Sequence, residues 1–380
     1  MPKRIWYAVI GIVAVALAVS IVFAVHVSPK HPEVKDLKSF AGNLGSDIDP
    51  VEVFEDSFVY VNMDEIKYYR QYFDGRGVSE LGQIDNFVLG VKANATVNNV
   101  LYFYTTVSIA GTDGEFGNNL YGIDLENNQL SLYHTDNEVN PAAMVYPYMG
   151  NLLALKSRTY DSASKAGIYE TYLENYDINT GSTEKVIEQT MDYTNLTGSM
   201  ILACFVNGSK IYTLNDDFAE NGDISPHIMV YGENFQLEQT IYIDDDTADY
   251  IRSSRPNEIA VFGDYVYMRN YSGYAVVGKI EENVLVPILQ TVDLELALNR
   301  QDDRAQNIQM FYIRWTNTYY ILDAEKGTFE ELTLEPYEDY VFMYAKANSD
   351  NVMIFLSADY DEPSDKKDDK YIFTDISALQ

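Results

Sequence analysis

The sequence predicts an all-β protein, a seven-bladed β-propeller preceded by one N-terminal transmembrane helix. Three observations carry that expectation. Short alternating apolar and polar runs, rich in β-branched and aromatic residues, recur from residue 51 to the end. A tight-turn motif returns seven times at a spacing of roughly 45 to 55 residues, the period of a four-stranded blade. A single long apolar run stands ahead of both. Six or eight blades, or a pair of stacked β-sandwiches, are the structural alternatives, and sandwiches would not need so regular a period.

The apolar run extends from Ile5 to Val25, 21 positions broken only by Ser20, with Trp6 and Tyr7 at its entry and no ionisable side chain inside. As a helix it would measure roughly 31 Å, the thickness of a bilayer's hydrocarbon core. Residues 1–26 therefore read as a transmembrane anchor. The rival is a cleaved signal peptide, because Lys3 and Arg4 form a basic leader and Ala16-Leu17-Ala18 has the small-x-small form a signal peptidase prefers. That cut would leave an apolar new terminus, and the lipoprotein route is closed because the one cysteine is Cys204. Either reading exports the body. The basic tail before the apolar run favours a single-pass cell-membrane protein with its body on the extracytoplasmic side, although Lys30, Lys35 and Lys38 follow the helix.

Residues 27–50 hold Pro29, Pro32, Pro50, Gly42 and Gly45 with no sustained periodicity, and read as a stalk. Residues 51–380 form the propeller domain. Its strand signatures include Phe58-Val59-Tyr60-Val61-Asn62, Val100-Leu101-Tyr102-Phe103-Tyr104, Lys210-Ile211-Tyr212-Thr213-Leu214 and Val352-Met353-Ile354-Phe355-Leu356. The best helix candidate in the body, Leu294 to Arg304, could equally be a loop. Turns of the repeated kind lie at Asp74-Gly75, Asp124-Leu125-Glu126-Asn127-Asn128, Asp177-Ile178-Asn179-Thr180-Gly181, Gly232-Glu233-Asn234, Glu281-Glu282-Asn283 and Asp323-Ala324-Glu325-Lys326-Gly327, and a seventh begins at Asp375. Each closes on glycine or asparagine, which tolerate the positive φ of a tight hairpin. The last unit stops before its outer strand, so pairing of Val51-Glu52-Val53-Phe54 into it would latch the ring and leave no long edge exposed.

The strands Val59-Tyr60-Val61-Asn62 and Tyr267-Met268-Arg269-Asn270, with turns such as Asp177-Ile178-Asn179-Thr180-Gly181, resemble the loose Tyr-Val-x-Asn and Asp-x-x-Thr-Gly repeats of membrane-anchored extracytoplasmic bacterial and archaeal β-propeller proteins. The resemblance spans most of residues 53–380 and implies fold and location, not a reaction. It departs from better-marked propellers: there is no Trp-Asp dipeptide, there are no paired kelch glycines, and Trp315 is the body's one tryptophan.

The chain has 58 acidic against 26 basic Lys and Arg residues, a formal net charge of −32. Such a surface repels phosphate backbones, and its bases form no stripe in the sequence, which excludes nucleic-acid binding. Cations, basic partners and neutral glycans remain compatible.

Chemistry is sparsely marked. Of four histidines only His134 and His227 lie in the body, and no Gly-x-Ser-x-Gly elbow or His-Glu-x-x-His segment is present. No catalytic or cofactor-binding residue is assigned. Cys204, inside Ile201-Leu202-Ala203-Cys204-Phe205, reads as a small core residue. Calcium is the one metal the carboxylates could serve. The candidates are Asp216 and Asp217 with Asp223, and Asp244, Asp245 and Asp246, although Ala219 and Ile228 would occupy ligand positions of an EF-hand loop begun at Asp217. The stretch from Asp361-Glu362 to Asp368-Asp369 reads as a charged loop. Asn94, Asn195, Asn207 and Asn270 head glycosylation sequons.

These readings lead to a binding or scaffold module for an envelope protein or glycan. The alternative is an exported hydrolase working with carboxylates at the propeller channel.

Overall fold

In the computed structural model the described residues are 33–36, 48–85, 87–89, 94–108, 116–136, 144–159, 167–297, 308–333, 340–347, 351–358 and 370–375, and most of them are β-strand. A short strand, β1 (Glu33–Asp36), comes first. It is followed by an antiparallel sheet of β2 (Ile48–Val53), β3 (Ser57–Asn62), β4 (Lys67–Tyr72) and β5 (Val78–Gln83). In the next sheet β6 (Phe87–Leu89) and β7 (Asn94–Val97) both pair with β8 (Val100–Ser108), followed by β9 (Phe116–Asp124) and β10 (Gln129–Asp136).

A twelve-stranded sheet contains three runs of four. They are β11 (Met144–Tyr148) to β14 (Thr183–Asp192), through β12 (Asn151–Thr159) and β13 (Ile168–Tyr176); β15 (Thr197–Asn207), β16 (Lys210–Phe218), β17 (Ile224–Tyr231) and β18 (Leu237–Ile243); and β19 (Pro256–Phe262), β20 (Tyr265–Asn270), β21 (Tyr274–Glu281) and β22 (Val284–Val292). The runs are joined only by short contacts. Met191 and Asp192 pair with Gly198 and Thr197, and Tyr242 and Ile243 pair in parallel with Val284 and Leu285. A further sheet holds β23 (Leu294–Leu296), β24 (Ile308–Ile313), β25 (Thr318–Asp323) and β26 (Thr328–Thr333), and the last holds β27 (Tyr340–Ala347), β28 (Asn351–Ala358) and β29 (Lys370–Asp375).

The repeated turns all occupy one structural position, the link from third to fourth strand of a run: β4–β5, β9–β10, β13–β14, β17–β18, β21–β22 and β25–β26, with Asp375 ending β29. In four of them, at Asp74, Asp124, Asp177 and Asp323, an aspartate side chain closes the turn. Asp177 Oδ1 accepts from the amides of Asn179 and Thr180 at 2.8 and 3.2 Å, and Asp124 Oδ1 accepts from Glu126 and Asn127 at 2.8 and 3.0 Å. These amides hold the Asp177 carboxyl below its ordinary range. Gly181 and Gly327 then take φ +71 and donate back to the carbonyls of Asp177 and Asp323 at 2.8 Å.

The second strands are largely buried, as in Ser57–Asn62 and Tyr265–Asn270, and the fourth strands alternate toward solvent, as in Val284–Val292 and Thr183–Asp192. First strands touch from run to run: β7 against β11, β11 against β15, β15 against β19, and β2 of the first run against β27 of the last. Side chains and backbone reinforce these contacts. Asn94 Nδ2 donates to Val51 O at 2.7 Å, Tyr267 OH to Leu294 O at 2.9 Å, and Ala347 N to Ala297 O. Tyr68, Tyr146, Tyr172 and Tyr267 are among the largest buried side chains, and Cys204 is fully buried beside them in the core. This accounts for much of the tyrosine content: rings fill the core, and the hydroxyls of Tyr146 and Tyr267 donate to the carbonyls of Cys204 and Leu294.

Three sequence expectations need correction. The last run is completed by β1, Glu33 to Asp36 pairing antiparallel with Phe373 to Lys370, whereas Val51 to Val53 belong to β2 and pair with β3. The stretch assigned to a stalk therefore contributes β1 and the start of β2. Residues Leu294 to Leu296 are strand, not helix; 298–304 lie outside the described residues, as do Ile5 to Val25 and 361–369. Among the described residues one helix forms, α1 (Asp245–Ile251), in a stretch the sequence offered only as a calcium candidate. No helix of the described residues is long and apolar enough to cross a membrane.

Gly198 makes the junction between the third and fourth runs. It sits at φ +116, and a Cβ there would collide with the carbonyl oxygen of Thr190. Gly198→Ala is expected to cost about 1–3 kcal/mol, read as a lower urea midpoint with an unchanged slope.

Candidate functional site, a carboxylate and guanidinium rim

Strands β16, β20 and β24 end, and β17, β19 and β23 begin, at the same edge of their runs, and α1 is inserted there between β18 and β19. This rim gathers charges that are far apart in the chain.

Asp216 lies in β16 opposite Met200 and Pro226, 7% exposed, and its Oδ1 has no hydrogen-bond partner among the described residues. Burial pushes its carboxyl above the ordinary carboxylate range; Arg252, then His227, oppose that push, Asp217 adds to it, and Arg255 opposes it. Asp217 is exposed, with Oδ2 3.7 Å from Nδ1 of the buried His227, which also lies 3.1 Å from Ser225 O.

Helix α1 delivers the cations. Asp244 caps it, accepting from Thr247 N at 3.0 Å, with Asp245 and Asp246 in the first turn where acids favour the helix dipole. Arg252 caps the other end and donates through Nη1 to Ile224 O at 3.1 Å. The segment is tied down by Asn270, which is 1% exposed: Nδ2 donates to Ile251 O at 2.8 Å and to Ser253 Oγ at 3.3 Å, and Oδ1 accepts from Ser272 and Tyr274 amides at 3.0 Å. Asn62, at the equivalent end of β3, likewise accepts from Asp64 and Glu65 amides. Closing the second-to-third strand turn is thus the physical meaning of the asparagine in both strands that carry the repeat resemblance.

Beyond α1 the charges continue. Glu258 pairs in register with Arg269, whose Nη2 is 3.0 Å from Glu295 Oε1; Glu295 Oε2 meets Arg314 Nη2 at 3.0 Å and accepts from Tyr312 OH at 2.8 Å. Burial, reinforced by Glu295, raises Tyr312, so its hydroxyl stays a donor. Asp216, Arg252, Arg255, Arg269, Glu295 and Arg314 therefore form one charged series along this edge of three runs. Chemically it offers guanidiniums for carboxylate, carbonyl or hydroxyl recognition and one buried carboxyl able to carry a proton.

The sequence candidates are dispersed. Asp216 belongs to this rim, Asp217 points to solvent, Asp223 sits in the β16–β17 turn, Asp244 is a helix cap, and Asp245 and Asp246 are exposed on α1. Among the described residues no group of three or more His, Cys, Asp or Glu is placed to hold a metal ion. His134 is on the outer strand β10, its ring 5.7 Å from that of Tyr176. Two of the sequon asparagines, Asn94 and Asn270, are buried with their amides engaged, whereas Asn195 is exposed. The arginines were missed because nothing in their spacing links Arg252 to Arg314; only the fold does.

Asp216 yields a pH prediction. A carboxyl raised in the folded state binds more protons there than when unfolded, so the wild type loses stability as pH climbs from the unfolded value to the folded one. Asp216→Asn is expected to remove that loss and to gain most, relative to wild type, at pH 7; thermal melts at pH 4 and pH 7 read the difference.

No family model matches the sequence, and no curated protein matches it. Solved structures do. An oligogalacturonate lyase of Vibrio parahaemolyticus aligns at TM-score 0.51 and 12% identity, over 91% of this chain and 94% of that one. YCF48 bound to D1 peptide aligns at 0.47 and 8% identity over 91% and 96%, and the β-propeller domain of the Trilobed protease from Pyrococcus furiosus at 0.44 and 13% over 71% and 79%. At such identities the likeness concerns fold alone, and the chain has the all-β fold of the β-propellers.

Proposed function

We propose that the protein is a membrane-anchored, extracytoplasmic seven-bladed propeller that binds a protein or glycan partner as a receptor or scaffold module. Support for the blade number comes from the succession of four-stranded runs, the contact of β2 with β27, and the completion of the last run by β1. Support for the location is the apolar segment Ile5–Val25 behind its basic leader. The observation that carries the binding reading is the rim: an acidic body places Arg252, Arg255, Arg269 and Arg314 along one edge, ties the backbone at Ile251 to Asn270, seats Arg252 on Ile224 O and pairs Arg269 and Arg314 with Glu295. Rigidly held guanidiniums cost little ordering entropy on binding.

The test uses the full chain in its native membrane. Protease added outside intact cells should cut the body, and crosslinking followed by affinity isolation should enrich an envelope protein or polymer. Arg252→Ala with Arg255→Ala should reduce that enrichment severalfold. Capture of nothing above a control, together with turnover of a small glycan or ester, would overturn the reading.

A second reading, an exported hydrolase, is favoured by Asp216 alone: a buried carboxyl with raised proton affinity and an unpartnered oxygen is suited to general acid work. Turnover abolished by Asp216→Asn with the fold intact would establish it; turnover unchanged by that substitution would remove it.

A further inference from the structure

The fourth strand of the fifth run, β22, differs from its counterparts. The outer strands β5, β10, β14, β18 and β26 carry Glu80, Asp136 at its last position, Glu184 and Glu188, Glu238, and Glu330 and Glu331, whereas Val284 to Val292 hold no charged residue. Its outward positions are Val284, Val286, Ile288 and Val292, each 39–48% exposed, interrupted only by Gln290. Tyr242, 61% exposed, stands beside Val284 in the parallel contact with β18. That contact stops at Leu285, so among the described residues no strand covers the outer edge of β22 from Val286 onward. Proline at position 287 lacks a donor and lies at a bulge, which leaves Ile288 to Val292 as the pairing window. An uncharged edge of this length is what folded proteins ordinarily avoid unless something pairs with it.

Acids bracket the strand. Glu281 and Glu282 are exposed where it begins and Asp293 where it ends. Near that far end α1 presents exposed Asp245, Asp246 and Asp249, held against β21 through the Tyr250 and Tyr274 rings at 5.2 Å. A second copy of this chain is a poor occupant: antiparallel pairing of β22 with itself would set Glu281 and Glu282 of one copy against Asp293 of the other, between chains of net charge −32.

We propose that β22 is a docking edge for an extended segment of a partner protein, apolar at alternate positions and basic at both ends, which adds a strand along Ile288–Val292. Valine, isoleucine and tyrosine side chains supply the contact, backbone groups of the edge supply register, and the acidic brackets select a basic segment. The inference rests on the binding-module reading and gives its partner a chemistry.

The probe is a synthetic peptide of alternating valine and threonine with two lysines at each end, compared with a twin ending in glutamates. The full chain in detergent should bind the lysine-ended peptide at least about tenfold more tightly. The preference should fall in high salt, and amide exchange should slow at Ile288–Val292. Ile288→Lys and, separately, Val286→Lys should each weaken binding at least about tenfold without moving the melting temperature. Equal affinity for the two peptides, protection confined elsewhere, or a dimer of the full chain that Ile288→Lys dissociates would overturn the proposal. If a native partner is captured equally by wild type and Ile288→Lys, the docking edge fails while the binding-module reading stands. If no native partner is captured at all but the peptide discrimination holds, the reverse applies.

Discussion

Tyr267→Ala is expected to lower stability by about 4 kcal/mol, the largest single effect in the molecule. Tyr267 is fully buried on β20, its ring 5.4 Å from Phe311 on β24 and its hydroxyl donating to Leu294 O at 2.9 Å. One side chain therefore joins the fifth run to the sixth by packing and by hydrogen bond together. Burial drives its hydroxyl well above the ordinary tyrosine range, so it remains a donor at any working pH. Tyr267→Phe separates the two contributions: it keeps the ring and leaves the Leu294 carbonyl without that donor, for a loss of about 1–2 kcal/mol. Urea unfolding at pH 7 measures both. A Tyr267→Ala protein within 1 kcal/mol of wild type would show that the two runs are not coupled there.

Asn270→Ala should cost about 3 kcal/mol and disturb the rim more than the core. Asn270 uses both ends of its amide, and its loss strips donors from Ile251 O and Ser253 Oγ and an acceptor from two turn amides. The helix that presents Arg252 is anchored at that point. Hydrogen exchange should therefore accelerate at Ile251–Ser253 and at Ser272 and Tyr274, while core strands such as β20 keep their protection until global unfolding. Asn270→Asp keeps the acceptor and loses the donors, so it should free the helix end while sparing the turn. Equal acceleration in both places by Asn270→Asp would contradict the division of labour between the two amide atoms.

Local chemistry was readable from the residues and tertiary chemistry was not. Strands such as Val100–Ser108 and Lys210–Phe218 announce themselves through β-branched and aromatic residues, and turns such as Asp177–Gly181 through an aspartate that must reach amides two and three positions on. Glu33-Val34-Lys35-Asp36 carries no such pattern; it becomes a strand only because β29 offers an edge. Asp244-Asp245-Asp246 drew notice as calcium ligands, yet three acids at a helix N-terminus promote the helix instead. Of the candidate site, Asp216 was singled out for calcium and stands instead beside Arg252 and His227. The partners Arg269, Glu295 and Arg314 escaped notice because strand register, not sequence spacing, brings them together.

The pairing of β1 with β29 sets the order of events in biosynthesis. Of the strands described, the first and the last must meet, so a nascent chain holds β1 in reserve until β29 has emerged. Chain separation adds little to the equilibrium cost, since each doubling of a loop costs only about 0.6 kcal/mol. The penalty falls on kinetics: maturation waits for a long-range search, and any product truncated before Lys370 carries a bare sheet margin open to misassociation.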